Sequence, residues 1–173
     1  QFDELRACGG PARYDRADVS DAQAMRSWVA EVETALGVPD LIVPNAAIVT
    51  LKNAKEVSPA EWTRELHINL NGSFFMAQAA VLRLLHHRKP GRIVFVGSWA
   101  ADRPHVHIPA YCAAKAGLRQ LMRCLAHELA GDGILVNEVA PGYVNAGLTA
   151  QLFDLEPGRR QKALESVPTK ILI

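Results

Sequence analysis

A tyrosine and a lysine stand four residues apart in the stretch Tyr111-Cys112-Ala113-Ala114-Lys115. The surrounding alanines predict a helix, on which residues four apart share one face. A free phenol has a pKa of about 10 and is a poor acid or base at neutral pH. A cation within about 4–6 Å favours the phenolate and lowers that pKa by roughly 1–3 units. The pair is therefore suited to general acid/base chemistry, although the same spacing also occurs on solvated helix faces.

Short apolar strands and longer helical patterns alternate along the chain. Strands are predicted over residues 12–17, 41–43, 92–97 and 134–139, and helices over residues 21–36, 58–87 with a break near Asn69, and 111–130. Alternation of this kind forms a parallel sheet with right-handed crossovers. Ligands of such sheets bind beyond the carboxyl ends of the strands. This rule places four stretches at one edge of the sheet: Asp18-Val19, Asn45-Ala46-Ala47, Ser98-Trp99 and Pro141-Gly142.

Helix start and stop signals refine these boundaries. Ser20 is predicted to be the N-cap of the first long helix. Ser58, with a proline after it and Glu61 three residues later, has the pattern of a capped helix start. Residues 2–8 are predicted to end a helix that stops at two glycines. After Ala146, glycines and prolines interrupt the helical pattern, and a mobile segment over the site is expected there.

The composition is that of an ordinary globular protein. Of the 173 residues, 49% are hydrophobic and 21% are charged, which suits one domain with a real core over residues 1–173. A formal net charge of +1 gives no basis for binding nucleic acid or an anionic membrane. No apolar run approaches the roughly 20 residues that span a bilayer. Three cysteines without CxxC spacing predict neither disulfides nor a zinc site, and a cytoplasmic location is expected.

The residues at the sheet edge resemble the classical short-chain dehydrogenases/reductases. The stretch from Tyr111 to Lys115 is similar to the family's YxxxK motif, and Ser98 stands 13 residues before Tyr111, at the position of the family's serine. Asn69, within the stretch 68–72, matches the position of the family's fourth catalytic residue. The resemblance therefore implies a catalytic set of Asn69, Ser98, Tyr111 and Lys115.

Further stretches resemble the segments with which this family binds its cofactor. Asp18-Val19 is similar to the pair that contacts adenine, Asn45-Ala46-Ala47 to the turn after the fourth strand, and residues 141–144 to a loop that packs along nicotinamide. The resemblance thus implies NAD or NADP as the cofactor and no metal. The cofactor-binding residues that it implies are Asp18, Val19, Asn45, Ala46, Ala47, Tyr111, Lys115, Pro141, Gly142 and Val144.

The sequence also departs from the family pattern. It has no glycine-rich TGxxxGxG loop, since Gly131-Asp132-Gly133 leads into a strand. The family's first two strands are therefore expected before Gln1, and its last helix and strand after Ile173. The fold implied is a three-layer Rossmann-type doubly wound parallel sheet with helices on both faces, incomplete at both termini. Ala146 stands where a threonine usually binds the nicotinamide carboxamide, which leaves that contact to backbone groups.

By this resemblance the chain interconverts a secondary alcohol and a ketone by hydride transfer. Tyr111 would transfer the proton, Lys115 would lower the Tyr111 pKa and bind the nicotinamide ribose, and Ser98 would hold the substrate oxygen. Asn69 would hold a helix kink and a water of a proton relay. The substrate would be a small molecule, either a sugar or polyol or a 3-oxoacyl thioester. A catalytically silent binding protein, or an epimerase or dehydratase of the same fold, remains the alternative.

Several of these residues also have a purely structural interpretation. Ser98 is suited to cap a loop, Asn69 to break or cap a helix, and Asp18 to cap the helix that follows it. His105 and His107 lie in the loop that faces the substrate in the family. Because no further ligand stands at metal-binding spacing, these two histidines are expected to be solvated.

Two helices carry more apolar positions than one buried face needs. These positions are Met76, Val81, Leu82 and Leu85 on one helix, and Leu121, Met122, Leu125 and Leu129 on the other. Members of the resembled family usually associate through these helices, so a homodimer or homotetramer is expected.

Overall fold

Three strands form a parallel sheet in the computed structural model of the chain, which describes residues 9–155 and 157–171. The strands are β1 (Leu41–Ile42), β2 (Gly91–Val96) and β3 (Ile134–Val139), and β2 lies between the other two. The predicted parallel α/β fold is confirmed, while the helix predicted over residues 2–8 lies outside the described residues.

Within the described ranges, six helices connect and flank the strands. They are α1 (Ala22–Leu36), α2 (Pro59–Leu66), α3 (Ser73–His86), α4 (Pro109–Leu129), α5 (Gly147–Leu155) and α6 (Pro157–Ser166). A π-helical turn (His67–Gly72) joins α2 to α3, and 3₁₀ turns lie at Trp99–Ala101 and Ala130–Asp132. The break predicted near Asn69 is this π-helical turn. Within the described residues, no helix is both long and apolar enough to cross a bilayer.

One face of the sheet is buried beneath α1, α3 and α4. Alternate residues of a strand point to opposite faces. Ile93 and Phe95 of β2, with Ile134 and Val136 of β3, are at most 6% exposed and pack against side chains of all three helices. On the opposite face Leu135 is 54% exposed. Apolar strands of this kind are typical of sheets that are covered on both faces. A layer of helices on the face opposite α1, α3 and α4 stays a prediction.

Two of the predicted boundaries are wrong. Residues 12–17 form no strand, because no neighbouring strand among the described residues pairs with them and a strand needs a partner for its backbone hydrogen bonds. The N-cap of α1 is Asp21, whose carboxylate accepts the Ala24 N–H at 3.0 Å. Ser20 is not the cap, because its hydroxyl donates to the carboxylate of Asp18 at 2.7 Å.

The start of α2 follows the prediction. The hydroxyl of Ser58 accepts the N–H of Glu61 at 3.2 Å, and the Glu61 carboxylate accepts the N–H of Ser58 at 2.9 Å. This reciprocal capping satisfies two N–H groups that have no partner within the helix.

The segment after Ala146 is more regular than its breakers suggested. It forms α5 and α6, which pack against each other. The breakers stand at helix ends, since Gly147 begins α5, Pro157 begins α6, and Pro168 follows α6. Proline is tolerated at the first helical position because its missing N–H is not needed there. The segment expected to be mobile therefore contains two helices, and its mobility stays a prediction.

Candidate active site

The helix α4 places Tyr111 and Lys115 one turn apart on the same face. Lys115 is only 3% exposed, and its Nζ donates to the carbonyl oxygen of Val96 at 2.7 Å. The same Nζ lies 5.5 Å from the centroid of the Tyr111 ring. The helix thus brings a phenol and an ammonium to the carboxyl end of β2, where the family resemblance placed them.

Ser98 follows β2 and faces the same point. It is 7% exposed, and its Oγ accepts the N–H of Ala100 at 3.1 Å, which caps the 3₁₀ turn Trp99–Ala101. The Ser98 hydroxyl also neighbours the Tyr111 phenol and favours its phenolate form. A serine hydroxyl can accept one bond while it donates another, so the capping and the site contact coexist.

The surroundings of Tyr111 raise the pKa of its phenol. Burial is the main cause, the Ser98 hydroxyl opposes the rise, and the nearby Glu65 carboxylate adds to it. The net direction is therefore opposite to the expected lowering, because burial outweighs the groups that favour the phenolate. The Lys115 ammonium donates to the Val96 carbonyl, and burial lowers the pKa of Lys115 itself to about 8. At neutral pH the Tyr111 phenol therefore stays protonated, which is the form that can donate a proton.

Asn69 acts on the site through the backbone of a neighbouring loop. The side chain is completely buried in the π-helical turn. Its Oδ1 accepts the N–H of Ile48 and its Nδ2 donates to the Ile48 carbonyl, both at 2.8 Å. These two bonds fix the chain directly after Asn45-Ala46-Ala47. A water relay at Asn69 stays a prediction.

Glu65 supports the same loop and was not anticipated from the sequence. It lies one turn before Asn69 and is completely buried, with one carboxylate oxygen accepting the N–H of Thr50 at 2.9 Å. Its other oxygen has no hydrogen-bond partner among the described residues. Burial raises the pKa of this carboxyl. An acid four residues before Asn69, on the face that packs inward, was the signal available in the sequence.

Two cavities meet at the Ser98–Tyr111 pair. The larger has a volume of about 430 Å³ and the smaller one of about 400 Å³. The residues that line both are Ser98, Tyr111, Gly142 and Thr149. A ligand in each cavity would therefore approach the other at the hydroxyl groups of Ser98 and Tyr111.

The smaller cavity gathers most of the residues assigned to the cofactor. It is lined by Asn45, Ala46, Ala47, Val96, Gly97, Ser98, Tyr111, Lys115, Pro141, Gly142, Val144, Gly147 and Thr149. Eight of the ten predicted cofactor residues are in this lining, and the structure brings them together from the loops after the three strands and from α4. Thr149 was not predicted, although it carries a hydroxyl three residues after Ala146.

Asp18 and Val19, the other two predicted cofactor residues, are not among the described residues that line either cavity. Asp18 accepts the N–H and the hydroxyl of Ser20 at 2.9 and 2.7 Å, and these bonds lower its pKa. Val19 packs on the π-helical turn, where a Cβ at Gly72 would come within 2.9 Å of Val19 Cγ2. Their contact with adenine stays a prediction.

The larger cavity has aromatic walls with polar groups between them. The Trp99 ring lies 5.2 Å from the His105 ring and 4.8 Å from the Tyr143 ring. His105 and His107 line this cavity, and Nε2 of His105 is buried without a partner among the described residues. The expectation of two merely solvated histidines is therefore wrong for the Nε2 atom of His105, which is buried in a ring that lies beside Trp99.

The helices after Ala146 close the larger cavity. Phe153 from α5 and Lys162 from α6 belong to its lining. Neither residue was singled out in the sequence, because the helical signal there is weak. Among the described residues, no group of three or more His, Cys, Asp or Glu side chains is arranged to hold a metal ion.

Comparison with known proteins connects this geometry to a family. The sequence model of the family described as short chain dehydrogenase matches residues 2–157. The 2-dehydro-3-deoxy-D-gluconate 5-dehydrogenase of Dickeya dadantii (strain 3937) is 30% identical over 152 residues, which are 88% of this chain and 60% of that protein. The galactitol 2-dehydrogenase (L-tagatose-forming) of Cereibacter sphaeroides is 38% identical over 139 residues, which are 79% of this chain and 54% of that protein.

Solved structures share the fold. One, described as a candidate NAD(P)-dependent gluconate 5-dehydrogenase from Beutenbergia cavernae with NADP bound at low occupancy, has a TM-score of 0.90 and 32% identity. The match covers 99% of this chain and 68% of that one. The Rossmann-type prediction is therefore confirmed. The chain spans about 60% of the length of the first curated relatives it matches.

Proposed function

Because the chain belongs to the short-chain dehydrogenase family, we propose that it is an oxidoreductase that interconverts a secondary alcohol and a ketone with NAD or NADP. The observation that carries the proposal is the meeting of two cavities at Ser98 and Tyr111. Hydride transfer needs two reactants side by side, with a proton donor or acceptor where they meet. The smaller cavity suits the cofactor and the larger one the substrate.

The residues of the smaller cavity fit the nicotinamide end of the cofactor. Small side chains at the carboxyl ends of the strands leave backbone N–H and C=O groups within reach of a ligand. Asn45, Lys115 and the segment 141–144 would hold the group, and Thr149 offers a hydroxyl where Ala146 has none. When bound, the cofactor supplies or accepts the hydride.

Residues of the chain transfer the proton. In ketone reduction, Tyr111 donates its phenolic proton to the substrate oxygen, and its raised pKa keeps that proton in place at neutral pH. Ser98 donates a hydrogen bond to the same oxygen, and the bond strengthens as negative charge develops there. Lys115 provides a positive charge beneath the Tyr111 ring. In alcohol oxidation the proton moves the other way, which requires the phenolate form of Tyr111.

We propose a sugar acid or polyol as the substrate class. The relatives act, by their names, on a dehydro-deoxy-gluconate and on galactitol. Aromatic side chains such as Trp99 and Tyr143 give flat apolar surfaces for the C–H faces of a sugar, with His105 between them for hydroxyl groups. Lys162 adds a cation for a carboxylate. A 3-oxoacyl thioester fits this mixed lining less well.

A substrate panel followed at the nicotinamide absorbance band tests the proposal in the full-length protein. The panel comprises polyols, keto and hydroxy sugar acids, and 3-oxoacyl thioesters, each with NAD(H) and NADP(H). We expect turnover with a sugar acid or polyol. If a sugar acid is used, Lys162→Met should raise its KM by about tenfold or more, the value of one charge-assisted hydrogen bond, and leave the KM of a neutral polyol unchanged.

Arg160→Met is the matched control, because Arg160 is an exposed cation on the same helix α6 and does not belong to the described lining of the larger cavity. An equal change of KM in both variants would contradict the role of Lys162. The absence of any absorbance change across the panel would contradict the oxidoreductase proposal and favour a silent binding protein, or an epimerase or dehydratase.

We also propose that the protein is a cytoplasmic homodimer or homotetramer. Two of the apolar side chains on α3, Leu82 and Leu85, are 52% and 38% exposed. The corresponding residues Leu121, Met122 and Leu125 of α4 pack partly buried against the core. The support for an interface is therefore stronger on α3 than on α4.

A further inference from the structure

Arg119 occupies a nearly buried position one turn beyond Lys115 on α4. Its side chain is 13% exposed, and it faces Glu138 of β3, whose side chain is 6% exposed. The Nε of Arg119 donates to one carboxylate oxygen of Glu138 at 2.7 Å, and Nη2 donates to the other at 3.1 Å. A charge is rarely buried without a partner. These two parallel bonds from the planar guanidinium, which we call the fork, allow both charges to be buried together.

The same guanidinium also holds the segment that carries Ser98. Its Nη2 donates to the Ser98 carbonyl oxygen at 3.3 Å, and Nη1 donates to the carboxylate of Asp102. Ser98 and Asp102 flank the 3₁₀ turn that follows β2. One side chain therefore connects β3, α4 and both ends of this turn.

Glycine at position 97 makes this arrangement possible. A Cβ at Gly97 would come within 1.7 Å of an oxygen of Glu138, so any other residue would displace the carboxylate. Glu138 is also the one acid in the otherwise apolar or amide-bearing strand β3. Gly97, which lacks a side chain, therefore leaves the space that the Glu138 carboxylate occupies.

We propose that Arg119 is a positioning residue that sets the Ser98 hydroxyl relative to Tyr111, an inference that depends on the proposed function. Arg119 is not among the described residues that line either cavity, so it acts through Ser98 and not on the substrate. Among the described residues, the Ser98 carbonyl also accepts the Ala101 N–H at 3.1 Å, and the Ser98 hydroxyl accepts the Ala100 N–H at 3.1 Å. A planar fork anchored on Glu138 joins this segment to β3 and α4, which those local bonds do not do.

The test compares Arg119→Met with Arg83→Met in the full-length protein under the assay described above. Arg83 makes a similar fork with Glu33, including an Nη2 bond of 2.8 Å, and it joins α1 to α3 away from the cavities. We expect Arg119→Met to lower kcat by about 10- to 100-fold, the effect of misplacing a reacting group by about 1 Å. The KM should change less than kcat, and Arg83→Met should leave kcat unchanged.

A double variant distinguishes positioning from a general loss of structure. If Arg119 acts through Ser98, then Arg119→Met should lower kcat little further once Ser98→Ala is in place, because the two changes remove the same interaction. Arg119→Lys keeps the charge but not the fork, and it should recover part of the lost kcat. If Arg119→Met folds poorly, Glu138→Gln preserves the volume of the partner and should show the same non-additivity with Ser98→Ala.

Fully additive effects, or equal losses of kcat in Arg119→Met and Arg83→Met, would overturn the assignment of Arg119 while leaving the oxidoreductase proposal intact. A wild-type protein without nicotinamide-linked turnover on the whole panel would overturn both. The two failures are therefore distinguished by the wild-type measurement alone.

Discussion

Replacement of Tyr111 by phenylalanine should lower the turnover of the full-length protein by about 10²- to 10⁴-fold, the usual contribution of a positioned general acid or base. The change removes one oxygen and keeps the ring, so the packing of α4 and the melting temperature should be preserved. The lost oxygen lies where both cavities meet, next to Ser98. Substrate binding should be affected far less than kcat, because the proton moves only during the chemical step.

Tyr143→Phe is the matched control for this change. Tyr143 lines the same larger cavity and loses the same atom on substitution, but its ring lies against that of Trp99 and it is not among the described residues that line the smaller cavity. We expect Tyr143→Phe to change KM at most and to leave kcat close to wild type. Unchanged turnover in Tyr111→Phe, or equal losses in the two variants, would remove Tyr111 from the proton-transfer role.

The pH dependence gives Tyr111 a second signature in the wild-type protein. Because burial raises its pKa, the phenol is protonated through the neutral range. Reduction needs that protonated form and should proceed at neutral pH, then fall at alkaline pH. Oxidation needs the phenolate and should rise as the pH increases above neutrality. Tyr111→Phe should lose this alkaline rise together with its activity.

We expect Lys115→Met to lower the activity of the protein without lowering its stability. The buried ammonium has a pKa of about 8, well below that of a free lysine. The charge on Lys115 therefore destabilises the folded state at neutral pH. Since one pKa unit corresponds to about 1.4 kcal/mol, the destabilisation below pH 8 is on the order of 3 kcal/mol. It disappears as the pH rises from about 8 towards the pKa of lysine in the unfolded chain. Methionine removes this cost but leaves the Val96 carbonyl without its 2.7 Å donor.

We therefore expect Lys115→Met to keep the melting temperature near the wild-type value at pH 7 and to lower turnover by about 10²-fold or more, since the positive charge beneath Tyr111 is lost. Thermal melts and kcat from the same preparations measure both. Lys52→Met serves as the control, because Lys52 pairs with Glu61 at the surface and should affect neither quantity appreciably. A stable Lys115→Met variant with normal kcat would contradict the account.

The sequence predicts the parts of the site that depend on local spacing. The four-residue interval of Tyr111 and Lys115 places them on one helical face whatever the rest of the chain does. Ser98 comes directly after an apolar strand, and the ends of parallel strands share one edge, so its meeting with Tyr111 follows from the fold class. The relative positions of these three residues could therefore be predicted from local spacing and fold class alone.

The remaining features depend on contacts that spacing alone does not specify. The fork between Arg119 and Glu138 requires the register in which Glu138 lies opposite Phe95, and it requires the space left by Gly97. The pKa of Tyr111 depends on burial and on Glu65, which reach it from other elements. For this reason the direction of that pKa was predicted incorrectly while the position of the phenol was predicted correctly.

The same limit applies to secondary structure away from the site. Residues 12–17 have the composition of a strand, but whether they form one depends on a neighbouring strand. The helices α5 and α6 contain few strong helix signals, and their packing against each other and over the larger cavity makes them regular. Tertiary contacts decided both outcomes.

The most direct test of the central claim is a crystal structure of the full-length protein with its nicotinamide cofactor and a bound ketone or alcohol that does not turn over. We expect the substrate oxygen to lie within about 2.6–3.2 Å of both the Tyr111 phenol and the Ser98 hydroxyl, the range for proton transfer. We also expect the cofactor to occupy the smaller cavity beside Lys115. A substrate oxygen bound away from Ser98 and Tyr111, with these two side chains contacting neither ligand, would contradict the account.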